Sequence, residues 1–459
     1  MSLQGVQYAG EYEVSHIRLI SSSGTTLPIE GAVVQLDFME DIFTNSIFGA
    51  ISVVDTNDLV HNMPIVGQEF LDIKIKTPTL NDEIDNIFSV IKINKYSDVN
   101  QGAKLFELHF TSLEFVRNNR IRVSKSFTGT TSEIVQDLLE NEQFIGTKKN
   151  INIEETIGIK KVVSPNLNPY RLIRNLTSES IAKNSGSPHF LFYETLKGIN
   201  FRTVQNLYDE ESSGTFDAGV SAARDINFTK VIDDMRRVIS QDAGGYNDMM
   251  QNIKSGVMGS SLIMHDIYNK NYQKYDYKYF QNFGDFGRID ENPIYNEVLI
   301  DDFNNTVGDF PEGKIYVHPT STTTDFLDAQ HYDTSSQQYA YTSNKTQNTL
   351  QYRRSKYMEL MGGVSLTLEV NGHTALEAGQ MVDFFRDSTG KKIDDGIDKY
   401  FSGRFLISSL RHTFSNNFKK HEITMLIVKD SFPSSIPVRS SAKPPRQRRG
   451  FTTNLTTRG

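Results

Sequence analysis

The chain has 459 residues, 37% of them hydrophobic and 23% charged, and a net charge of −8. That length exceeds one core and predicts roughly three or four units. Cysteine is absent, which excludes disulfides, thiolate zinc sites and cysteine nucleophiles, and the acidic balance argues against a dedicated nucleic-acid binder. No apolar run approaches the ~20 residues of a spanning helix, and Met1–Gly10 lacks the layout of a signal peptide, so no membrane association is expected.

In chain order, the first elements predicted are strands. Val34, Leu36 and Phe38 alternate with Gln35 and Asp37, Ile51 and Val53 continue the pattern, and Leu71, Ile73 and Ile75 alternate with Asp72, Lys74 and Lys76. Residues 1–116 read as one antiparallel module, expected to close as a small barrel because closure removes exposed strand edges. Thr130 and Glu133 form a capping box ahead of Ile134, Val135, Leu138 and Leu139, and Asn168-Pro169 starts a second helix with Asn as N-cap. His189–Leu207 reads as a hairpin turning at Lys197-Gly198, so 117–207 is a small α/β domain.

The pattern then weakens. Ser212–Asp217 reads as a loop, Lys230–Ile239 as a helix, Asn247–Ile253 as a short helix and Ser261–Tyr268 as a strand. Residues 208–280 are assigned to the start of a second barrel unit, and 281–348, rich in Tyr, Ser, Thr and Asn, to an irregular extension. Leu350–Met361 is a predicted helix stopped by Gly362-Gly363. Val364, Leu366, Leu368 and Val370 then alternate with polar residues, opening a second barrel over 349–432. Residues 433–459 hold four prolines and six basic residues with no acid, a Pro-containing basic arm that cannot build a core of its own.

The second barrel is expected because part of the first is written twice. Gly67-Gln68 leads to Phe88-Ser89 and a hairpin ending at Phe115. Gly379-Gln380 leads to Phe401-Ser402 and a hairpin ending at Phe432. The Gly-to-Phe spacing is 21 residues in one copy and 22 in the other. The expected fold is therefore mixed β with α/β: two similar small antiparallel barrels, a small α/β domain and an irregular extension.

Catalytic signals are weak. Gly308–Lys314 has P-loop spacing, but Ile315 stands where Ser or Thr must meet magnesium, and Pro311 removes an amide donor. Ten histidines include no HExxH, which leaves only a zinc site assembled from distant residues, and His412 beside Phe414 reads as a packed or surface histidine rather than a ligand. Asp301-Asp302, Asp394-Asp395 and Glu154-Glu155 could pair for glycoside hydrolysis, but adjacent loop acids are usually solvated surface. No catalytic, cofactor or metal residue is assigned.

The run GAISVVDTNDLVHNMPIVGQEFLDIKIKTP resembles the baseplate hub proteins of T-even-like contractile-tailed phages. So do SFTGTTSEIVQDLL, VVSPNLNPYRLIRNL and HFLFYETLKGINFRTVQNL. SLTLEVNGHTALEAGQMVDFF and DKYFSGRFLISSLRHTFS are similar to the second barrel of those hubs and to the hub part of secretion-system spike proteins. The resemblance spans nearly the whole chain in order and is weakest between 209 and 350. It implies a structural virion protein made in the host cytoplasm, a homotrimer whose paired barrels form a pseudo-sixfold ring. That ring would join the hexameric tail tube to the trimeric central spike, with tape measure and inner baseplate proteins as further partners and DNA passing through without specific binding. The alternatives are a cell-wall hydrolase acting during penetration and the hub of a non-viral injection system. Within the basic arm, Arg446, Arg448 and Arg449 are expected to bond an acidic groove on a neighbouring component while Phe451 fills a pocket.

Overall fold

The computed structural model describes residues 6–56, 65–78, 80–100, 102–218, 231–243, 248–266, 270–299, 305–320, 344–388, 396–416 and 419–437. The N-terminal module comprises β1 (Glu13–Ile20), β2 (Thr26–Pro28), β3 (Val33–Asp41), β4 (Phe48–Asp55), β5 (Phe70–Lys76), β6 (Glu83–Asn100) and β7 (Ala103–Ser112). Their order is β3-β4-β7-β6-β5-β1-β2. Leu71, Ile73 and Ile75 are fully buried as the alternation predicts, packed with Phe38, Phe88 and Phe110 in one cluster. Val34 is only half-buried and Val33 takes the inward place, because the register shifts between Val33 and Gln35. One extra residue reverses which side chain faces the core.

The α/β unit follows. The helix Thr131–Glu140 has the predicted capping box and buries Ile134, Val135, Leu138 and Leu139. Short strands β8 (Ser126–Gly129), β9 (Asn150–Ile153) and β10 (Lys160–Val163) accompany the hairpin β11 (Phe190–Thr195) and β12 (Gly198–Thr203). Thr195 pairs with Gly198, so the hairpin turns at Leu196-Lys197, one residue earlier than expected. Pro169 opens the helix Pro169–Thr177, yet the Asn168 side chain makes no capping bond. It donates to the Asn118 carbonyl, while the Asn118 side chain accepts the Tyr170 amide at 2.8 Å. The cap is thus borrowed from a residue distant in sequence.

Ser212–Asp217, read as a loop, is strand β13, and the Lys230–Ile239 helix ends at Arg236, giving way to β14 (Val238–Ala243). Both changes are tertiary: β13 runs parallel to β20 (Met381–Phe385), and β14 runs antiparallel to β19 (Val364–Asn371). Between them in sequence, β15 (Gly259–Asp266), β16 (Asn271–Lys278) and, beyond the short β17 (Asn292–Pro293), β18 (Ile315–Thr320) form a three-stranded sheet, β16-β15-β18. The helix Arg353–Gly362 precedes β19 as predicted. The long hairpin β21 (Gly403–Ser415) and β22 (Lys420–Lys429) and the short β23 (Ser431–Phe432) end the described chain's strands.

Strand order repeats: β3-β4-β7-β6-β5 in the first module and β14-β19-β22-β21-β20 in the second. The registers match as well. Asp37 faces Ala50 as Asp242 faces Thr367; Ile51 faces Leu108 as Leu368 faces Met425; Ile93 faces Leu108 as Leu410 faces Met425. Two bulges coincide, Val33/Gln35 with Val238/Ser240 and Val90/Lys92 with Ile407/Ser409, while β6 carries two more, at Asn94/Tyr96 and Asp98/Asn100, that β21 lacks. Phe88, opposite Leu71, therefore corresponds to Phe405, opposite Val382, rather than to Phe401 as the Phe-Ser pairs suggest.

The expected closed barrels are not formed among the described residues. The strands make one sheet whose path ends at β14 and β2, because the edge of β3 that closure would need is taken by β21. An edge is protected here by pairing between modules.

Candidate assembly surface

The seam between modules is the antiparallel pairing of β21 with β3, from Ser409 opposite Asp41 to Ser415 opposite Gln35. On its outer face the Arg411 guanidinium donates to both Asp37 carboxylate oxygens at 3.2 and 2.9 Å, and the Thr413 hydroxyl donates to Asp37 Oδ1 at 2.8 Å. A fork of two parallel N–H bonds fixes register as well as supplying energy. Asn416 adds a bond from its side chain to the Val33 carbonyl. A groove of about 520 Å³ runs over this face, with Met39, Phe48, Thr367, Arg411 and Thr424 in its lining.

Beneath the seam the inner face is aromatic. Phe414 meets Phe38 and Tyr12 edge-on and stacks on His421 with centroids 4.0 Å apart. One nitrogen of His412 lies 2.9 Å from one of His421, and both rings are fully buried. Burial, with His373 nearby, pulls His412 down to about 3, and burial with the neighbouring His412 holds His421 well below the usual imidazole range. Of the packed and surface settings that its place beside Phe414 leaves open, His412 takes the packed one.

The hairpin tip of β11 and β12 braces the seam from behind. Glu40, buried on β3, accepts the Leu196 amide at 2.7 Å and the Ala378 amide at 2.8 Å, so one carboxylate joins three parts of the chain. Burial and the Glu377 carboxylate push Glu40 up to about 8, against the pull of those two amides. Thr195 donates to Glu377 at 2.6 Å, and Lys149 bridges Glu194 and Glu114 at 2.6 and 3.2 Å. Behind the second module, Arg288 binds both oxygens of Glu359 at 2.8 Å, while Lys356 and Tyr208 bond Asp430. Burial opposes the Asp430 charge, but Lys356 and Arg288 outweigh it and hold that carboxyl well below its usual range. Each buried charge has a partner, which makes these clusters fasteners of the fold.

The candidate catalytic pairs fare differently. Glu154 accepts the Thr203 amide and Glu155 pairs with Lys183, both structural contacts, whereas Asp301-Asp302 and Asp394-Asp395 lie outside the described residues. Among the described residues no group of three or more His, Asp or Glu side chains is placed to hold a metal ion, and no helix is long and apolar enough to cross a membrane. Arg446, Arg448, Arg449 and Phe451 lie outside the described residues too. The sequence reading missed the Asp37–Arg411 fork altogether. Its only signal was an acid and a base on outward positions of two alternating strands.

No protein-family model matches the chain, and no curated protein sequence matches it significantly. Solved structures do. A tail protein from Neisseria meningitidis MC58 superposes with a TM-score of 0.51 at 10% identity, covering 92% of this chain and 97% of that one. The 43 kDa tail protein of prophage MuSo2 from Shewanella oneidensis gives 0.52 at 10% identity, covering 91% and 99%. The chain has the fold of phage tail proteins. A component of the type VI secretion system of E. coli follows at 0.41, with 11% identity and coverage of 92% and 77%, a looser likeness on which nothing rests. The tail-protein fold extends over nearly the whole length of both matched tail proteins, so the resemblance read from the sequence motifs holds at the level of fold.

Proposed function

We propose that this chain is a structural protein of a phage tail baseplate, and within it the homotrimeric hub that adapts the hexameric tail tube to the trimeric central spike. One observation supports the reading above the others: two modules of the same strand order, with matching registers and two shared bulges, lie edge to edge in a single chain. A closed trimer of one-module subunits offers three equivalent surfaces, while a tube ring offers six. Two near-equivalent modules per subunit supply six. The tube ring, the spike, and the tape measure and inner baseplate proteins are its partners in this reading, and no cofactor or catalysis is involved. Arg446, Arg448, Arg449 and Phe451 serve as contacts of the basic arm with an acidic neighbour.

The test is mass measurement of the purified chain with and without a coexpressed spike protein. Three copies in at least one condition is the expected result. A stable monomer under both overturns the hub reading.

A further inference from the structure

The duplication carries its own template for how one copy meets the next. In the second module, β21 pairs with β20 up to Leu406 and, past the bulge at Ser408, gives the same edge to β3. Its counterpart β6 pairs with β5 up to Ser89 and then runs on to Asn100, past the matching bulge at Ile91. Among the described residues no strand takes that edge of β6. The counterpart of β3 is β14, which pairs with β19 on one side; next to it, a single bridge joins Arg237, just before its first residue, to Asp217 of β13, and from Val238 onward no described strand takes its other edge. A single copy thus makes this joint once and leaves both halves of a second one open.

Burial tells the same story. Leu410, beside the seam, is 2% exposed, whereas its counterpart Ile93 is 37% exposed. Leu36 on β3 is buried under Phe414, whereas its counterpart Gln241 on β14 is exposed, and Ile239 beside it is 46% exposed. Ile91 adds to the uncovered apolar edge at 46%. Apolar side chains left in water along an unpaired strand edge mark a place where another chain docks.

We propose that β6 beyond Val90 pairs antiparallel with β14 of a second copy of this chain, in the register of β21 with β3; this rests on the trimeric reading above and supplies its contact. The equivalences set Ser97 opposite Asp242, as Thr413 stands opposite Asp37. The chemistry repeats with the position, a hydroxyl across from a carboxylate in both joints, and Asn94 takes the place of Arg411 across one extra bulge, between Asn94 and Tyr96, that β21 lacks. The contact joins two different edges, so it is head-to-tail and builds rings rather than two-fold pairs. In a trimer, three internal seams and three joints between copies would alternate around a single continuous sheet.

The absence of native cysteine makes the test direct. Chains carrying Ser97→Cys and differently tagged chains carrying Asp242→Cys are coexpressed and oxidised, with Ser97→Cys and Gln241→Cys as the misregistered control. Directly opposed residues of an antiparallel pair bring their Cβ atoms within about 5 Å, close to disulfide reach. The expected result is a covalent heterodimer from the first pair, at least tenfold more than from the control, and a ladder ending at three chains from the Ser97→Cys, Asp242→Cys double variant. A native trimer that forms no such disulfide overturns the joint and leaves the trimer standing. A monomer overturns both, and a ladder running past three keeps the joint while overturning the trimer. Hydrogen exchange of the unaltered chain gives an independent reading. The amides of β14 and of β6 beyond Val90 should become protected together as the copies associate, and unchanged exchange at either strand overturns the proposal.

Discussion

Arg411 grips Asp37 across the seam with two N–H bonds, 374 positions apart in sequence. Asp37 is nearly buried, and the Arg411 side chain is 45% exposed, so the two ends of the pair carry different weight. Removing the carboxylate strands the Thr413 hydroxyl and the guanidinium together. Asp37→Ala is expected to lower stability by about 1–3 kcal/mol, whereas Arg411→Ala should cost about 1 kcal/mol or less. Urea midpoints of the two variants check the asymmetry; equal losses would mean that the pair is solvated.

The two cores give a second expectation. Leu71 and Phe384 are fully buried in separate clusters. Leu71→Ala should cost about 2–5 kcal/mol and Phe384→Ala about 3–5 kcal/mol. Because the clusters are distinct, the double variant should lose close to the sum. A melting temperature untouched by Leu71→Ala would show that β5 faces the other way.

Acid should weigh on the two buried histidines of the seam. His412 and His421 are buried neutral, with His412 pulled down to about 3 and His421 also lowered, while unfolded imidazoles titrate near pH 6.5. The unfolded chain therefore binds more protons between those values. The histidines' share of the stability is complete above about pH 6.5 and declines as pH falls from there towards 3, by roughly 1–2 kcal/mol for His412 between pH 7 and 5, while Glu40, pushed up to about 8, contributes with the opposite sign over the same window. Denaturant titrations at pH 7 and 5 isolate the histidine share by difference: His412→Gln should lose less stability, or gain more, on going to pH 5 than the parent does. A seam variant with the parent's pH slope would exclude this histidine as the cause.

The basic arm is testable by removal. Deleting Ser434–Gly459 is expected to leave the copy number unchanged and to weaken attachment to a neighbouring baseplate or tube component, more so at high salt for the contacts that remain. Full assembly with unchanged salt resistance would reduce the arm to a tether.

What the sequence made legible is what period and punctuation encode. Leu71, Ile73 and Ile75 announce their strand by alternation alone, and Thr130 with Glu133 announces a helix start. A bulge has no such mark, so Val34 was assigned the place of Val33 and the two Phe-Ser pairs suggested the wrong alignment of the hairpins. Strands β13 and β14 were missed for a different reason. Ser212, Ser213 and Gly214 carry no period, and Val238-Ile239 continues a helical stretch; only their partners β20 and β19 make them strands. The seam lies further still from sequence reasoning, since Asp37 and Arg411 look like ordinary solvated charges until the two sheets are joined.

The same joining sets a timetable for synthesis. The strand that covers β3 is made some 374 residues later, which at roughly 5–20 residues per second leaves that edge waiting on the order of tens of seconds. A naked edge for so long invites pairing with other nascent chains. Asp37, Glu40 and Asp41 sit along it, and charges on an edge strand deter wrong partners until the right one arrives. The carboxylates that later fasten the seam thus guard it first, and a neutralised edge should betray itself as aggregation during expression before any defect shows in the finished protein.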